Sequence, residues 1–189
     1  MIENLKQRFP VFEKNKNLVF LDTAASALKV DSMIKAVSEC YSYEYANIHR
    51  GIYELSSNLT KRYEDARSSV SKFINSSSFE NIIFTKSATE GINLVSSCLS
   101  DNYFNDGDEV LLTTLEHHAN LVPWHLVSKK IKIITAKITS AGELDYPDLL
   151  EKINSKTKLI AITHMSNGTG SITNFDEIKI KAKKFNIPI

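Results

Sequence analysis

Short apolar runs that alternate with helical segments constrain the fold of this chain more than any other feature of its sequence. The runs are NIIFT, DEVLLT, IKIITAKI and KLIAIT, at residues 81–85, 108–113, 131–138 and 158–163, and IPI at 187–189 opens another. Helical patterns follow them over about 88–100, 119–129, 146–154 and 174–185. Strands that alternate with helices run parallel to one another, so this order predicts an α/β fold with a largely parallel sheet and flanking helices.

Two helical stretches precede the first of these runs. They are VDSMIKAVSECYSYEYAN at 30–47, with Asp31 as the expected N-cap, and SNLTKRYEDARSSVSKFI at 57–74. The segment between them, NIHRGIYELSS, has the polar and turn-forming residues of a loop. We therefore expect an N-terminal arm with helices over residues 1–75. Residues 76–189 are expected to form the first part of an α/β domain that is truncated at a strand.

Charge and composition exclude several classes of protein. The 189 residues include 23 basic and 22 acidic side chains, without the basic excess that is typical of nucleic-acid binding. No apolar run reaches the roughly 18 residues of a membrane-spanning helix, and the first residues lack a signal-peptide pattern. Cys40 and Cys98 are isolated, so we expect two buried thiols, no disulfide and no metal site. These features predict a cytoplasmic protein that binds neither nucleic acid nor membrane.

Polar clusters follow three of the predicted strands. KSATEGIN follows the run at 81–85, TLEHHAN the run at 108–113, and HMSNGTG the run at 158–163. Parallel strands bring their carboxyl ends to one edge of the sheet, where ligands of open α/β folds bind. The three clusters therefore predict a ligand site at that edge.

The first two clusters contain groups suited to an anionic, aromatic ligand. Ser87, Ala88 and Thr89 open a helix, whose free N–H groups and dipole favour an anion. Taken alone, the cluster favours a simple N-cap with Glu90 in the first turn. Neighbouring side chains diverge, so His117 and His118 are not expected to share a metal. One imidazole is expected to face the crevice and to stack on, or exchange protons with, the ligand. The other is expected to pack or to face solvent.

Two further groups have both a functional and a structural interpretation. The amide of Asn167 could hold a carboxylate or a phenolic oxygen, or it could stabilise the turn before Gly168. His49 and Arg50 could reach an anionic ligand across a dimer interface, or they could belong to an ordinary surface loop. The motifs of P-loop nucleotide binding and of the serine hydrolase elbow are absent from the sequence.

Five segments together carry a resemblance to a known family. FLDTAASALK, NIHRGIYELSSNLTKRYEDAR, IIFTKSATEGINLV, EHHANLVPW and ITHMSNGTGSI stand in the order and spacing of the cysteine desulfurases. The chain resembles the N-terminal half of their sulfur-mobilisation (Suf) branch, which belongs to the class V aminotransferase group of fold-type I enzymes. The resemblance implies pyridoxal 5'-phosphate as cofactor, a homodimer, and conversion of L-cysteine to L-alanine. Persulfide sulfur would then pass to an acceptor protein of iron–sulfur cluster assembly.

The resemblance also implies roles for individual residues near the cofactor. His117 would stack on the pyridine ring and assist proton transfer, and His118 would support it. Thr89 and the backbone at Ala88 would hold the phosphate, although the family often has a second threonine at position 88. Asn167 would lie beside the ring oxygen of the cofactor and the substrate carboxylate.

The remaining implied residues concern the substrate and the missing chemistry. Ala24 and Ala25 would line the substrate pocket, and His49 and Arg50 would approach it from the partner subunit. The lysine that anchors the cofactor and the cysteine that carries persulfide are expected beyond Ile189, so the 189-residue chain by itself is expected to be inactive. Another class V enzyme, either a selenocysteine lyase or an aminotransferase, and a catalytically inactive fragment remain alternatives.

Overall fold

The computed structural model describes residues 5–127 and 131–189. These residues form two compact units, over residues 1–84 and 85–189. The division lies between Phe84 and Thr85, whereas the sequence places a domain boundary between residues 75 and 76. Whether residues 1–75 form a domain of their own stays a prediction.

The first unit is helical, as expected. Its elements are a 3₁₀ turn at Lys6–Arg8, helix α1 at Val11–Lys14, helix α2 at Asp31–Glu39 with a π-helical continuation at Cys40–Glu44, helix α3 at Glu54–Phe73, and a 3₁₀ turn at Phe79–Asn81. The prediction that Asp31 caps α2 was wrong, because Val30 is the N-cap and makes no side-chain capping bond. Asp31 lies one residue inside the helix, where its carboxylate pairs with Lys35 one turn later at 2.8 Å.

The second unit is a parallel sheet with helices. Its strands are β1 at Glu109–Thr113, β2 at Lys132–Ala136 and β3 at Thr157–Ile160, and its helices are α4 at Ala88–Asn102, α5 at Val122–Leu126, α6 at Tyr146–Lys152 and α7 at Asp176–Lys184. The strand order is β2-β1-β3, and β1 pairs in parallel with both neighbours. The α/β fold with a parallel sheet is therefore confirmed, and β1 lies at its centre.

Two predicted strands differ from the structure. The sequence predicts a strand at residues 81–85, but the structure has none there. Ile82 has extended dihedral angles without a paired neighbour strand in the described part of the chain, and Ile83 is 74% exposed. A strand requires the N–H and C=O groups of a neighbour, and the described residues provide none for this segment. The run at 187–189 lies beside β3, because Ile160 donates its N–H to the carbonyl oxygen of Pro188 at 3.0 Å, but it is not a regular strand.

Both faces of the sheet are covered. Successive residues of β1 point to opposite faces, so Leu111 packs in one core cluster while Val110 and Leu112 pack in another. Leu149 of α6 and Ile178 of α7 join the first cluster; the second includes Trp124 of α5 and Phe104. A β1 that is apolar on both sides is the pattern of a parallel strand between two helical layers.

The two cysteines do not both lie in a core. Cys98 is exposed and Cys40 is half-buried, so the prediction of two buried thiols was wrong. The residue of α4 that is fully buried is Ser96, two positions earlier and on a different face of the helix. Cys98 therefore points outward even though its neighbours in sequence are apolar.

Candidate functional site

The turn after β1 carries the two histidines. Thr113 ends the strand, residues 118–120 form a single 3₁₀ turn, and α5 begins two residues later. Trp124 of α5 is only 2% exposed, so the aromatic side chain anchors the helix and the end of the turn in the core. This anchor holds the polar segment at the carboxyl edge of the sheet.

His117 is the N-cap of the 3₁₀ turn. Its Nδ1 atom accepts the backbone N–H of Ala119 at 3.0 Å, so the neutral imidazole carries its proton on Nε2. The rings of His117 and His118 are 6.2 Å apart and nearly perpendicular, at 79°. Of the two, His117 lines the adjacent cavity and His118 packs against its ring. The structure therefore places His117, and not His118, at the cavity, while the chemical role of His117 stays a prediction.

A carboxylate precedes His117 and binds three donors. Oε1 of Glu116 accepts the hydroxyl of Thr113 at 2.6 Å and the backbone N–H of Thr163 at 3.0 Å. Oε2 accepts the side-chain amide of Asn120 at 2.7 Å. Because Thr113 ends β1 and Thr163 follows β3, the carboxylate joins the ends of two neighbouring strands.

Asn120 extends this connection into the core. The same side-chain amide donates to the carbonyl oxygen of Ala161 at 3.0 Å, and its oxygen accepts the indole N–H of Trp124 at 3.0 Å. Both amide hydrogens and the amide oxygen therefore have partners. The sequence reasoning missed Glu116 and Asn120, and the available signal was a carboxylate and an amide four residues apart, with Trp124 four residues further on.

The N-terminus of α4 combines the two interpretations of its sequence. Ser87 is the N-cap and its hydroxyl accepts the N–H of Glu90 at 3.2 Å, while the Glu90 carboxylate accepts the N–H of Lys86. Ser87 thus caps the helix, and Glu90 reaches back to the residue before the N-cap, one position further than in a capping box. The N–H groups of Ala88 and Thr89 have no hydrogen-bond partner among the residues that the structure describes. They are therefore free to bind an anion.

A cavity of about 500 Å³ lies between α4, the histidine turn and β3. Its lining includes Ala88 and Gly91 of α4, His117 and Asn120 of the turn, and Ala161 after β3. The structure thus brings Ala88 and His117 to one cavity. Thr89 and Asn167, which were predicted for the same site, are not among the described residues that line it.

Asn167 lies at the tip of a turn that is held from within. The hydroxyl of Ser166, which is 4% exposed, accepts the N–H groups of Gly168 and Thr169, each at 3.2 Å. The side chain of Asn167 itself is exposed. Sequence reasoning singled out Asn167 but gave Ser166 no particular role. The buried hydroxyl acts as the acceptor that stabilises this turn.

The other four predicted residues belong to the first unit. Ala24 and Ala25 are exposed in a short turn in which Ala25 donates its N–H to the carbonyl oxygen of Asp22 at 3.1 Å. Arg50 is exposed as well. His49 adopts a left-handed backbone, with φ of 70°, and donates its N–H to the hydroxyl of Thr60 at 2.9 Å.

His49 is held on both sides of its ring. Its Nε2 lies 3.7 Å from a carboxylate oxygen of Glu64, and the ring meets Tyr63 edge to face at 5.7 Å. Glu64 in turn binds Arg67 at 2.8 Å, and Arg67 donates to the carbonyl oxygen of Ile82 at 3.0 Å. The loop that carries His49 and Arg50 is therefore ordered by hydrogen bonds as well as exposed.

Within residues 5–127 and 131–189, no group of three or more histidine, cysteine, aspartate or glutamate side chains could hold a metal ion. No helix there is long and apolar enough to cross a lipid bilayer.

Comparison with known proteins gives a consistent set of matches. The class V aminotransferase family matches residues 19–188. One relative is a cysteine desulfurase of Wigglesworthia glossinidia brevipalpis, which is 39% identical over 96% of this chain and 46% of its own length. Another is the cysteine desulfurase SufS of Plasmodium falciparum, which is 37% identical over 96% of this chain and 34% of its own length. The apo structure of a cysteine desulfurase from Thermococcus onnurineus superimposes with a TM-score of 0.87 at 33% identity, over 98% of this chain and 45% of that one. The chain thus spans less than half the length of these relatives.

Proposed function

The chain belongs to the class V aminotransferase family, and we propose that the whole protein is a pyridoxal-phosphate-dependent cysteine desulfurase of the Suf type. It converts L-cysteine to L-alanine and passes persulfide sulfur to an acceptor protein of iron–sulfur cluster assembly. The relatives named cysteine desulfurase, at 37% and 39% identity over nearly the whole chain, support this substrate. We propose further that the protein works as a homodimer in the cytoplasm.

One observation carries the proposal: a single cavity is lined by both an imidazole and the N-terminus of a helix. Pyridoxal phosphate has a planar aromatic ring and a phosphate. The phosphate suits the free N–H groups of Ala88 and Thr89 and the positive end of the α4 dipole. The ring suits stacking on His117. The cavity of about 500 Å³ lies within the range of small-molecule sites.

The hydrogen bond of His117 decides which of its atoms does chemistry. When bound, pyridoxal phosphate supplies the electron sink that lets a proton leave the substrate Cα. Nδ1 of His117 is occupied by the N–H of Ala119. Nε2 is therefore the atom that holds or moves a proton at the site. The same bond orients the imidazole relative to its own turn.

The other predicted residues bind and orient. Thr89 adds a hydroxyl to the two backbone donors at the phosphate. Asn167, at the tip of the turn held by Ser166, donates its amide to an anionic oxygen of cofactor or substrate. Ala24 and Ala25 leave room for a small substrate. His49 and Arg50 offer a cationic contact for the substrate carboxylate from the partner subunit.

The test uses the full-length protein with cysteine and a reductant. Wild-type protein is expected to retain the visible absorbance of bound pyridoxal phosphate and to release equal amounts of alanine and sulfide. His117→Gln is expected to lower kcat at least about a hundredfold, the range of a lost general acid–base group. His118→Gln, at the neighbouring position outside the cavity lining, is expected to retain most of the activity. Absence of the cofactor, or alanine release from selenocysteine alone, would overturn the proposal.

A further inference from the structure

Glu116 stands one residue before His117, but its carboxylate is directed to other groups. Its two oxygens accept hydrogen bonds from the Thr113 hydroxyl, from the Thr163 N–H and from the Asn120 amide. These donors come from three places in the fold, namely the end of β1, the segment after β3 and the 3₁₀ turn. A residue that joins three segments in this way determines where the backbone of its neighbour lies.

A carboxylate suits this position better than a side-chain amide does. It only accepts hydrogen bonds, and all three partners of Glu116 are donors. Bonds to a charged acceptor are also shorter and stronger than bonds between neutral groups. Glu116 borders the cavity, but both of its oxygens are already bonded. Its three hydrogen bonds all go to groups of the protein.

His117 has few other constraints on its orientation. Nδ1 of His117 accepts the N–H of Ala119 at 3.0 Å, and the carbonyl oxygen of His117 accepts the N–H of Asn120 at 2.8 Å. Both donors lie within the same turn. The side chains of Glu116 and Asn120 tie that turn to the end of β1 and to the segment after β3, and the Leu115 N–H adds a bond to the Thr113 hydroxyl at 3.1 Å. The orientation of the imidazole therefore depends on the bonds that hold its turn, and Glu116 makes three of them.

We propose that Glu116 is a positioning residue whose carboxylate holds the turn at 114–120 to the ends of β1 and β3 and thereby fixes the plane of the His117 imidazole. The effect on the turn does not depend on the reaction. The effect on a bound cofactor rests on the proposed function.

The test compares two carboxylate-to-amide variants of the full-length protein by amide hydrogen exchange. Glu116→Gln keeps the side-chain shape but turns one acceptor into an N–H₂ group that faces another donor. We expect the amides of Ala119 and Asn120 to exchange at least about tenfold faster in this variant. Asp148→Asn is the matched control, because Asp148 also accepts a backbone N–H, from Lys137 at 2.8 Å, and a side-chain donor. It is expected to leave exchange in the turn unchanged.

A second substitution tests whether the pairing itself matters. In the double variant of Glu116→Gln and Asn120→Asp, the amide at position 116 donates and the carboxylate at position 120 accepts, the reverse of the wild-type pair. Because Asn120→Asp also removes the donor to the carbonyl oxygen of Ala161, we expect the double variant to exchange faster than wild type but more slowly than Asn120→Asp alone. Asn120→Asp alone opposes two carboxylates and is expected to exchange fastest. If Glu116→Gln fails to fold, Thr113→Val removes one donor to Glu116 and also the acceptor of the Leu115 N–H. It is expected to raise exchange at Ala119 and Asn120 as well as at Leu115.

Pyridoxal phosphate then provides a separate spectroscopic readout. Bound to wild-type protein, it is expected to show induced circular dichroism that changes in Glu116→Gln and not in Asp148→Asn. If wild-type protein binds no pyridoxal phosphate, the proposed function fails, while hydrogen exchange still decides the role of Glu116. Wild-type exchange rates in the turn of Glu116→Gln would overturn the positioning role. So would an increase spread evenly over residues 85–189, since that indicates a general loss of stability.

Discussion

The side-chain amide of Asn120 lies 3.0 Å from the carbonyl oxygen of Ala161 and so joins the turn after β1 to the segment after β3. The same amide reaches Glu116 at 2.7 Å, and its oxygen accepts the indole of Trp124 at 3.0 Å. A single side chain therefore satisfies a backbone carbonyl, a carboxylate and a buried aromatic donor. This explains how a polar turn can lie against an apolar core beside the cavity.

Replacing Asn120 by alanine is expected to lower the free energy of unfolding by about 2–4 kcal/mol, because three polar partners lose their hydrogen bonds in a partly buried place. Urea denaturation of the full-length protein measures this loss. Asn102→Ala is the control, since the exposed Asn102 only touches the carbonyl oxygen of Cys98 at 3.5 Å and is expected to cost less than about 0.5 kcal/mol. Equal midpoints for the two variants would contradict the prediction.

The fold could be predicted because its signal is local. Each of the runs that became β1, β2 and β3 carries enough aliphatic and β-branched residues to be recognised without its neighbours. The run at 81–85 has the same composition, yet the described residues give it no strand to pair with. Composition predicts that a segment can be a strand, whereas pairing depends on which other segments lie beside it.

The candidate site could be predicted only in part for a related reason. The order of strands and helices brings Ala88 and His117 to one edge, and both line the cavity. The bond from Thr163 to Glu116 joins residues 47 positions apart, which no local pattern reveals. The predicted roles of Thr89, Asn167, Ala24, Ala25, His49 and Arg50 stay predictions.

Replacing Gly51 by alanine is expected to destabilise the loop that carries His49 and Arg50. A Cβ atom at position 51 would overlap the Cβ and hydroxyl of Ser56, which is fully buried and donates to the carbonyl oxygen of Asn47 at 2.6 Å. Forcing an extra methyl group into such a space costs about 1–3 kcal/mol, measured as the loss in the free energy of unfolding.

The companion substitution Ser56→Gly removes both overlapping atoms. The double variant is therefore expected to lose less stability than the sum of the two single losses. Gly168→Ala is the control, because its Cβ would meet its nearest neighbour at 3.8 Å, an ordinary contact. Additive losses in the double variant would contradict the steric explanation.

Asp148 is expected to make stability depend on pH. Its hydrogen bond with Lys152 and the backbone N–H of Lys137 hold the pKa of its carboxyl below the usual value, which is about 3.9. A carboxyl whose pKa is lower in the folded state stabilises the protein above the unfolded pKa and loses that contribution as the pH falls through the folded pKa. Asp148→Asn lacks this group.

The stability of wild type relative to Asp148→Asn is thus expected to be greatest near neutral pH and to shrink below about pH 4. Urea denaturation of both proteins between neutral and acidic pH measures the difference. A difference that stays constant over this range would contradict the prediction.

Replacing Ser166 by alanine is expected to loosen the turn that presents Asn167. The variant leaves the N–H groups of Gly168 and Thr169 without their buried acceptor, a loss of about 1–2 kcal/mol in the free energy of unfolding. Ser171→Ala is the matched control in the same turn, because the Ser171 hydroxyl bonds only to the Thr169 hydroxyl, at 2.8 Å and exposed.

If Asn167 binds the substrate carboxylate, Ser166→Ala also raises KM for cysteine more than it lowers kcat, since a mobile amide weakens binding in the ground state and the transition state alike. Urea denaturation and steady-state kinetics of the full-length protein measure the two effects separately. A lower kcat with an unchanged KM would mean that Asn167 acts in the reaction step instead of in binding, and equal stability losses in both variants would mean that the buried hydroxyl does not hold the turn.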